Sequence, residues 1–230
     1  QMSSHNPMVP YKRSNPKLVL GCKVEVIMDA DKVINKLFTV REDDNNPHVL
    51  RKKKSREGVL PLLFKELGFT RGAEIGVCKA KFSKVLFDTI PNLNLLCVDM
   101  WIDHGRSTGE SSFKKASEVL RPYNAEIMNM PSIKAVEKIE DNSLDFVYVD
   151  AAHDFDNVMI DLILWSKKVK VGGIISGHDY HANFQYGVIE AVNAYTRCHS
   201  INEWYLTREI RSPSYFWVKK ESHNFKKAIA

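Results

Sequence analysis

Several short segments of this 230-residue chain place reactive side chains where an apolar run stops. The first reads Glu74-Ile75-Gly76-Val77-Cys78-Lys79-Ala80-Lys81-Phe82-Ser83, a carboxylate leading into a glycine-containing turn. The second is Asp99, 23 positions after Gly76, followed by Met100 and Trp101. Ser132, behind Pro131, closes the next apolar run. The last two are Asp150-Ala151-Ala152-His153 and His178-Asp179, the latter followed by Tyr180 and His181. A carboxylate beside an imidazole can move a proton near neutral pH or, with a second carboxylate, hold a divalent cation. Either pair alone would serve equally well as the start of a helix. Two such pairs at the ends of successive apolar runs point instead to one catalytic site.

The elements that must bring these residues together follow from periodicity. A helix is expected over Asp29 to Val40, then turn chemistry at Asp43-Asp44-Asn45-Asn46-Pro47. From residue 51 the pattern is regular. Val59 to Leu67 is helical, with Leu60, Leu63, Phe64 and Leu67 on one face and Gly68 as its stop. Strands are expected at 73–77, 95–99, 125–130, 144–150 and 172–177, with helices at 82–90, 112–120, 157–168 and 184–196 between or after them. Two late strands, at 204–208 and 215–219, are too close together for a helical crossover and should pair antiparallel. Strict alternation demands a doubly wound α/β sheet, mostly parallel, with helices on both faces. In such Rossmann-like sheets ligands sit beyond the carboxyl ends of the strands, which is where Glu74, Asp99, Ser132, Asp150 and His178-Asp179 fall. The expected domains are an N-terminal extension over 1–50, acting as a substrate lid, and a cofactor-binding domain over 51–230.

A dinucleotide fingerprint needs GxGxxG, because the backbone must approach a pyrophosphate. Here Cys78 and Lys81 stand where the second and third glycines would be, so a pyrophosphate is disfavoured. S-adenosylmethionine has no phosphate and makes a looser demand. Gly76 lets the loop pass close to it, Ala80 packs tightly, and Asp99 can accept from both ribose hydroxyls. Met100 and Trp101 are expected against the adenine face and Ser132 at its amino edge.

Taken together, Glu74-Ile-Gly-Val with Phe82-Ser83, Val98-Asp99-Met-Trp101, Leu144-Asp-Phe-Val-Tyr-Val-Asp150-Ala-Ala-His153 and Gly172-Gly-Ile-Ile-Ser-Gly-His178-Asp179-Tyr180 resemble class I S-adenosylmethionine-dependent methyltransferases. The likeness is to the small O-methyltransferases that include the macrocin-type sugar enzymes, with catechol O-methyltransferase more distant. It covers about residues 55–220 in motif order. The resemblance implies S-adenosylmethionine bound by Glu74, Gly76, Cys78, Ser83, Asp99, Met100, Trp101, Ser132 and Asp150. It also implies a divalent cation, magnesium or manganese, held by Asp150, His178 and Asp179. The resembled enzymes carry Asp-Asp or Asp-Asn at the last two positions, so His178 is a departure that favours manganese or a later metal. They carry the catalytic histidine at the offset of His153, which makes His153 the expected base, with Asp150 beside it. Tyr180 and His181 are weaker candidates that line the pocket. Asp154 and Asp156 are expected to supply negative charge at a helix start, and His104 to be solvated.

The expected reaction is methylation of a sugar hydroxyl, free or in a glycan. The alternatives are another small-molecule acceptor, a nucleic acid, or a non-catalytic cofactor-binding module. A net charge of +5 and the run Arg51-Lys52-Lys53-Lys54 with Arg56 permit an anionic partner, but a solvated helix start explains the run as well. Methylation of adenine amino groups commonly uses Asp/Asn-Pro-Pro-aromatic after the fourth strand. The Asp150-Ala-Ala-His153 segment found there argues against a nucleic-acid acceptor. Four cysteines (Cys22, Cys78, Cys97 and Cys198) without a CxxC pair fit a reducing, cytoplasmic compartment. No stretch approaches the ~20 apolar residues of a membrane span, so no membrane partner is expected. Gln1 before Met2 points to a processed or cloned start, which allows the chain to be a module of a longer protein, and a homo-oligomer is also allowed.

Overall fold

The computed structural model describes residues 29–41, 47–51, 55–103, 109–182, 187–209 and 211–220. Cys22, Lys52 to Lys54, His104 and the 184–186 start of the last expected helix lie outside them. The elements run α1 (Ala30–Leu37), β1 (Val40–Arg41), β2 (His48–Leu50), α2 (Arg56–Glu66), β3 (Arg71–Ile75), α3 (Lys81–Thr89), β4 (Asn94–Asp99), α4 (Gly109–Leu120), β5 (Ala125–Asn129), α5 (Ser132–Ala135) with a following 3-10 turn, β6 (Leu144–Val149), α6 (Phe155–Lys168), β7 (Val169–Gly177), α7 (Val188–Cys198), β8 (Tyr205–Leu206) and β9 (Tyr215–Val218).

The strands form one sheet in the order β1-β2-β8-β9-β7-β6-β3-β4-β5. From β5 to β7 every pairing is parallel. β9 lies antiparallel between β7 and β8, as the short link between the last two strands requires. This is the Rossmann-like doubly wound sheet expected from the alternation. β1 and β2 were not expected. β2 joins the sheet by parallel pairing with β8, and β1 folds back on β2 as the outer edge. Residues of the N-terminal segment thereby extend the same sheet, and Ile34 of α1 and Phe38 just beyond it join the same core as Leu60 and Phe64 of α2.

Both faces of the sheet are covered, which is why its strands read as unbroken apolar runs. Along β6, Phe146 and Tyr148 point into the layer beneath α1 to α4, whereas Val147 and Val149 point into the layer beneath α5 to α7. β9 repeats the division, with Phe216 and Val218 on the first side and Tyr215 and Trp217 on the second. Phe64 of α2 stacks on Phe146 with ring centroids 4.1 Å apart, fixing α2 over the middle of the sheet. Cys97 is buried in β4, while Cys78 and Cys198 are exposed free thiols. Among the described residues no helix is long and apolar enough to cross a membrane.

The order places β3 between β4 and β6. Chain connections leave β3 toward one side of the sheet and return at β6 toward the other, opening a crevice at the carboxyl ends of β3 and β6. Gly76 and Asp150 flank it.

Candidate active site

The crevice begins at Gly76. Its φ is +94°, and a Cβ on it would come within 2.0 Å of the Asp150 carbonyl oxygen. Only glycine allows the turn after β3 to lie this close to the end of β6. Cys78 and Ala80 continue the turn in the left-handed region, with φ of 50° and 55°. Asp99 holds the turn in place. One of its carboxylate oxygens accepts from the backbone N–H of Val77 and of Cys78, at 2.9 and 2.8 Å, and the other accepts from Trp101 N–H at 2.7 Å. A carboxylate has about four acceptor sites, so Asp99 keeps capacity for a further donor. Trp101 is buried, and its indole Nε1–H donates to the Cys78 carbonyl at 2.8 Å. That indole braces the turn, and Met100, 44% exposed, is the neighbour left open to solvent.

Glu74 lies beneath the turn, fully enclosed, with Ser83 of α3 donating to its carboxylate. Burial pushes its pKa up to about 8, and the nearby Asp150 and Asp99 carboxylates add to the rise while the Ser83 bond opposes it. Glu74 therefore carries a proton at neutral pH. Ser132, at the start of α5, accepts from Trp165 Nε1 at 2.7 Å and donates to Asp161. Its hydroxyl is committed to α6, on the apolar layer under α5 to α7. Burial lifts Asp161 to about 6.

On the other side of the crevice, β6 and β7 deliver their terminal residues side by side. His153 Nε2 lies 2.9 Å from Asp179 Oδ2 and 3.6 Å from Asp150 Oδ1. His178 Nδ1 lies 3.6 Å from Asp150 Oδ1 and 3.3 Å from Asp179 Oδ1. His181 Nε2 also reaches Asp179 Oδ1, at 3.3 Å, whereas the Tyr180 hydroxyl donates to Asn193 of α7. Asp179 itself adopts a φ of 58°, which turns its carboxylate back toward β6. Burial disfavours imidazolium, but the close carboxylates of Asp150 and Asp179 outweigh it and raise both His153 and His178 to about 9. Burial likewise opposes ionisation of Asp179, and its bonds from His153 and His178 overcome this and hold its carboxyl far below the usual range. Asp154, one residue on, caps α6 by accepting from Asn157 N–H at 3.1 Å, in line with a helix-start role.

Asp150, His153 and Asp179 each offer one donor atom, all within 4.8 Å of one another. That set fits a divalent cation. The sequence-based set had His178 as the imidazole ligand, and His178 faces the same two carboxylates. The two imidazoles thus compete for one place.

Arg56 was missed. It sits at the first position of α2, and its side chain runs inward over the rings of Phe82 and Tyr148, 5.1 and 5.7 Å from their centroids. One terminal nitrogen donates to Asp150 Oδ2 at 2.6 Å and to the Tyr148 hydroxyl at 2.9 Å. Nothing in the run Arg51 to Arg56 distinguishes this arginine from a solvated neighbour, since Tyr148 and Asp150 are more than 90 positions away; its Nε also pairs with the adjacent Glu57, at 3.5 Å.

Residues 73–180 match the family model described as a methyltransferase domain. No curated protein matches the chain. Similar solved structures include the O-methyltransferase from Bacillus cereus in complex with SAH (15% identity, TM-score 0.56, covering 87% of this chain and 94% of that one). Another is the O-methyltransferase TomG from Streptomyces achromogenes, involved in tomaymycin synthesis and in complex with SAM (14% identity, TM-score 0.54, 87% and 92%). An rRNA methylase from Streptococcus thermophilus shares the fold at 10% identity, with a TM-score of 0.56 over 74% of this chain and 99% of that one.

Proposed function

We propose that this chain, which carries a methyltransferase domain on the fold of S-adenosylmethionine-dependent methyltransferases, methylates a hydroxyl of a sugar, free or in a glycan. The donor is S-adenosylmethionine, lying across the Gly76 turn with its ribose toward Asp99. His153 takes the acceptor proton. The observation that carries this assignment is the convergence of Asp150, His153 and Asp179 at the adjoining ends of β6 and β7, beside the turn that Asp99 braces.

Methyl transfer is a displacement at carbon in which the sulfonium supplies its own leaving group, so the protein must align the acceptor and remove a proton. A hydroxyl hardly ionises near pH 7. With its pKa raised to about 9 by Asp150 and Asp179, His153 is protonated at neutral pH without a cation; with a divalent cation bound beside it, the imidazolium would be disfavoured and the ring free to take the acceptor's proton. A divalent cation, magnesium or manganese, is assigned to the two carboxylates together with His178, which lies 3.6 and 3.3 Å from them; when bound it would hold the acceptor hydroxyl and lower its pKa. A nitrogen that binds an ion cannot also accept a proton. His153 is therefore assigned to the proton and His178 to the ion.

The test is transfer of a labelled methyl group from S-adenosylmethionine to panels of sugars, phenols and RNA, with and without added manganese after treatment with EDTA. Labelling of a sugar hydroxyl that falls on chelation and returns with metal is expected. Full activity after verified metal removal excludes the cation, and labelling of RNA alone excludes the sugar acceptor.

A further inference from the structure

Asp150 is held from behind by a residue that no motif marks. Arg56 donates to Asp150 Oδ2 at 2.6 Å, leaving Oδ1 to face His153 and His178, both 3.6 Å away. Its guanidinium is itself fixed. The same nitrogen bonds the Tyr148 hydroxyl, and that hydroxyl bonds Ser214 at 3.2 Å. Ser214 N–H donates to Thr207 Oγ1, and Thr207 Oγ1 donates to Glu209 at 2.9 Å. Glu209 Oε1 closes the circuit by accepting the Arg56 backbone N–H at 2.6 Å. Helix α2, strand β6 and the β8–β9 hairpin thus clamp a single cationic group against one oxygen of Asp150. Arg56 is about one-fifth exposed and Asp150 slightly less, so water screens the pair only partly.

We propose that Arg56 is a positioning residue for Asp150: it restricts Asp150 to one free oxygen and adds a fixed positive charge that weakens divalent-cation binding at the Asp150–Asp179 cluster. The inference rests on the assignment of that cluster to the reactive site. Asp150, Asp179 and Arg56 sum to one negative charge, whatever protons the imidazoles carry. Without the arginine the sum is two, and Asp150 gains a second oxygen free to bind. Unit charges a few ångströms apart in a partly screened site interact strongly enough to change affinity tenfold or more. The placement also removes Arg56 from the surface charge of the Arg51–Arg56 run, since its side chain faces inward.

Manganese is the probe, because its free and bound forms are resolved by electron paramagnetic resonance without any acceptor. Titrations on the full chain at pH 7.5 compare wild type with Arg56→Gln, Arg56→Lys and Asp150→Asn, with the melting temperature and the affinity for S-adenosylhomocysteine recorded for each. Arg56→Gln is expected to bind manganese about tenfold tighter or more. Arg56→Lys keeps the charge and should stay within about threefold of wild type, and Asp150→Asn should abolish specific binding. Should Arg56→Gln lose its fold, Arg56→Lys against Tyr148→Phe carries the comparison: both should stay near wild type, because both keep the cation. Unchanged or weaker binding by a folded Arg56→Gln, or no manganese binding by any form, overturns the inference. Failure of methyl transfer to every acceptor alongside a tenfold tightening would instead remove the proposed activity and leave the role of Arg56 standing.

Discussion

Replacing Glu74 by glutamine should stabilise the protein, and the gain should depend on pH. The side chain is 2% exposed, and its folded-state pKa is about 8 against an ordinary value of 4.5. A carboxyl whose pKa is raised by folding contributes its full stability below the unfolded pKa and loses it as pH rises toward the folded one. The window here runs from about pH 4.5 to pH 8. Between pH 5 and pH 7 the unfolded chain has released the proton while the folded chain keeps it, and two pH units across that gap correspond to roughly 2–3 kcal/mol. Glutamine cannot titrate, and its carbonyl can still accept from Ser83. Wild type should therefore lose roughly 2–3 kcal/mol relative to Glu74→Gln between pH 5 and pH 7. Urea denaturation of both proteins at the two pH values measures this, because shifts at all other groups cancel in the difference. A wild type–variant difference that is the same at both values would show that folding does not raise the Glu74 pKa, and the buried, protonated Glu74 would be refuted.

Two further outcomes concern the cofactor side. Asp99→Ala removes the acceptor for three backbone N–H groups as well as the proposed ribose partner. Calorimetry with S-adenosylhomocysteine should show a loss on the order of 1–3 kcal/mol, accompanied by a lower melting temperature, and wild-type affinity would remove the ribose assignment. Gly76→Ala forces a Cβ to within 2.0 Å of the Asp150 carbonyl at a φ that alanine resists. Denaturation should report a cost of roughly 2–4 kcal/mol, and a stable variant that still binds the cofactor product would show that β3 and β6 can separate.

The sheet was legible because its signal is local. Apolar runs such as Leu144 to Val149 and Leu95 to Val98 are buried on both faces, and turn residues punctuate them. Asp99, Asp150 and Asp179 could be singled out because a doubly wound sheet sends strand-end residues to one crevice whatever their partners. The edge strands β1 and β2 span only Val40–Arg41 and His48–Leu50, too few residues for any period to emerge, and their place is set by pairing with β8 far along the chain. Trp101, expected against the adenine face, has its indole N–H on the Cys78 carbonyl. Ser132 was expected at the adenine edge, and its hydroxyl is spent on Trp165 and Asp161. In both cases the backbone position follows from the strand end, whereas the side-chain direction depends on a distant partner. Arg56 is the extreme case, a helix-start cation whose role is defined wholly by Tyr148 and Asp150.

The most direct test of the central claim, that His153 takes the acceptor proton beside a cofactor held at the Gly76 turn, compares His153→Gln with wild type in two measurements on the same preparations. Glutamine keeps bulk and hydrogen bonding but cannot accept a proton near pH 7. Removal of a general base typically lowers kcat by about 10²–10⁴. Methyl transfer to the best acceptor should fall by that order, while S-adenosylhomocysteine binding measured by calorimetry stays near wild type. Turnover at the wild-type rate with unchanged cofactor affinity would contradict the assignment and pass the proton to another group, His178 first.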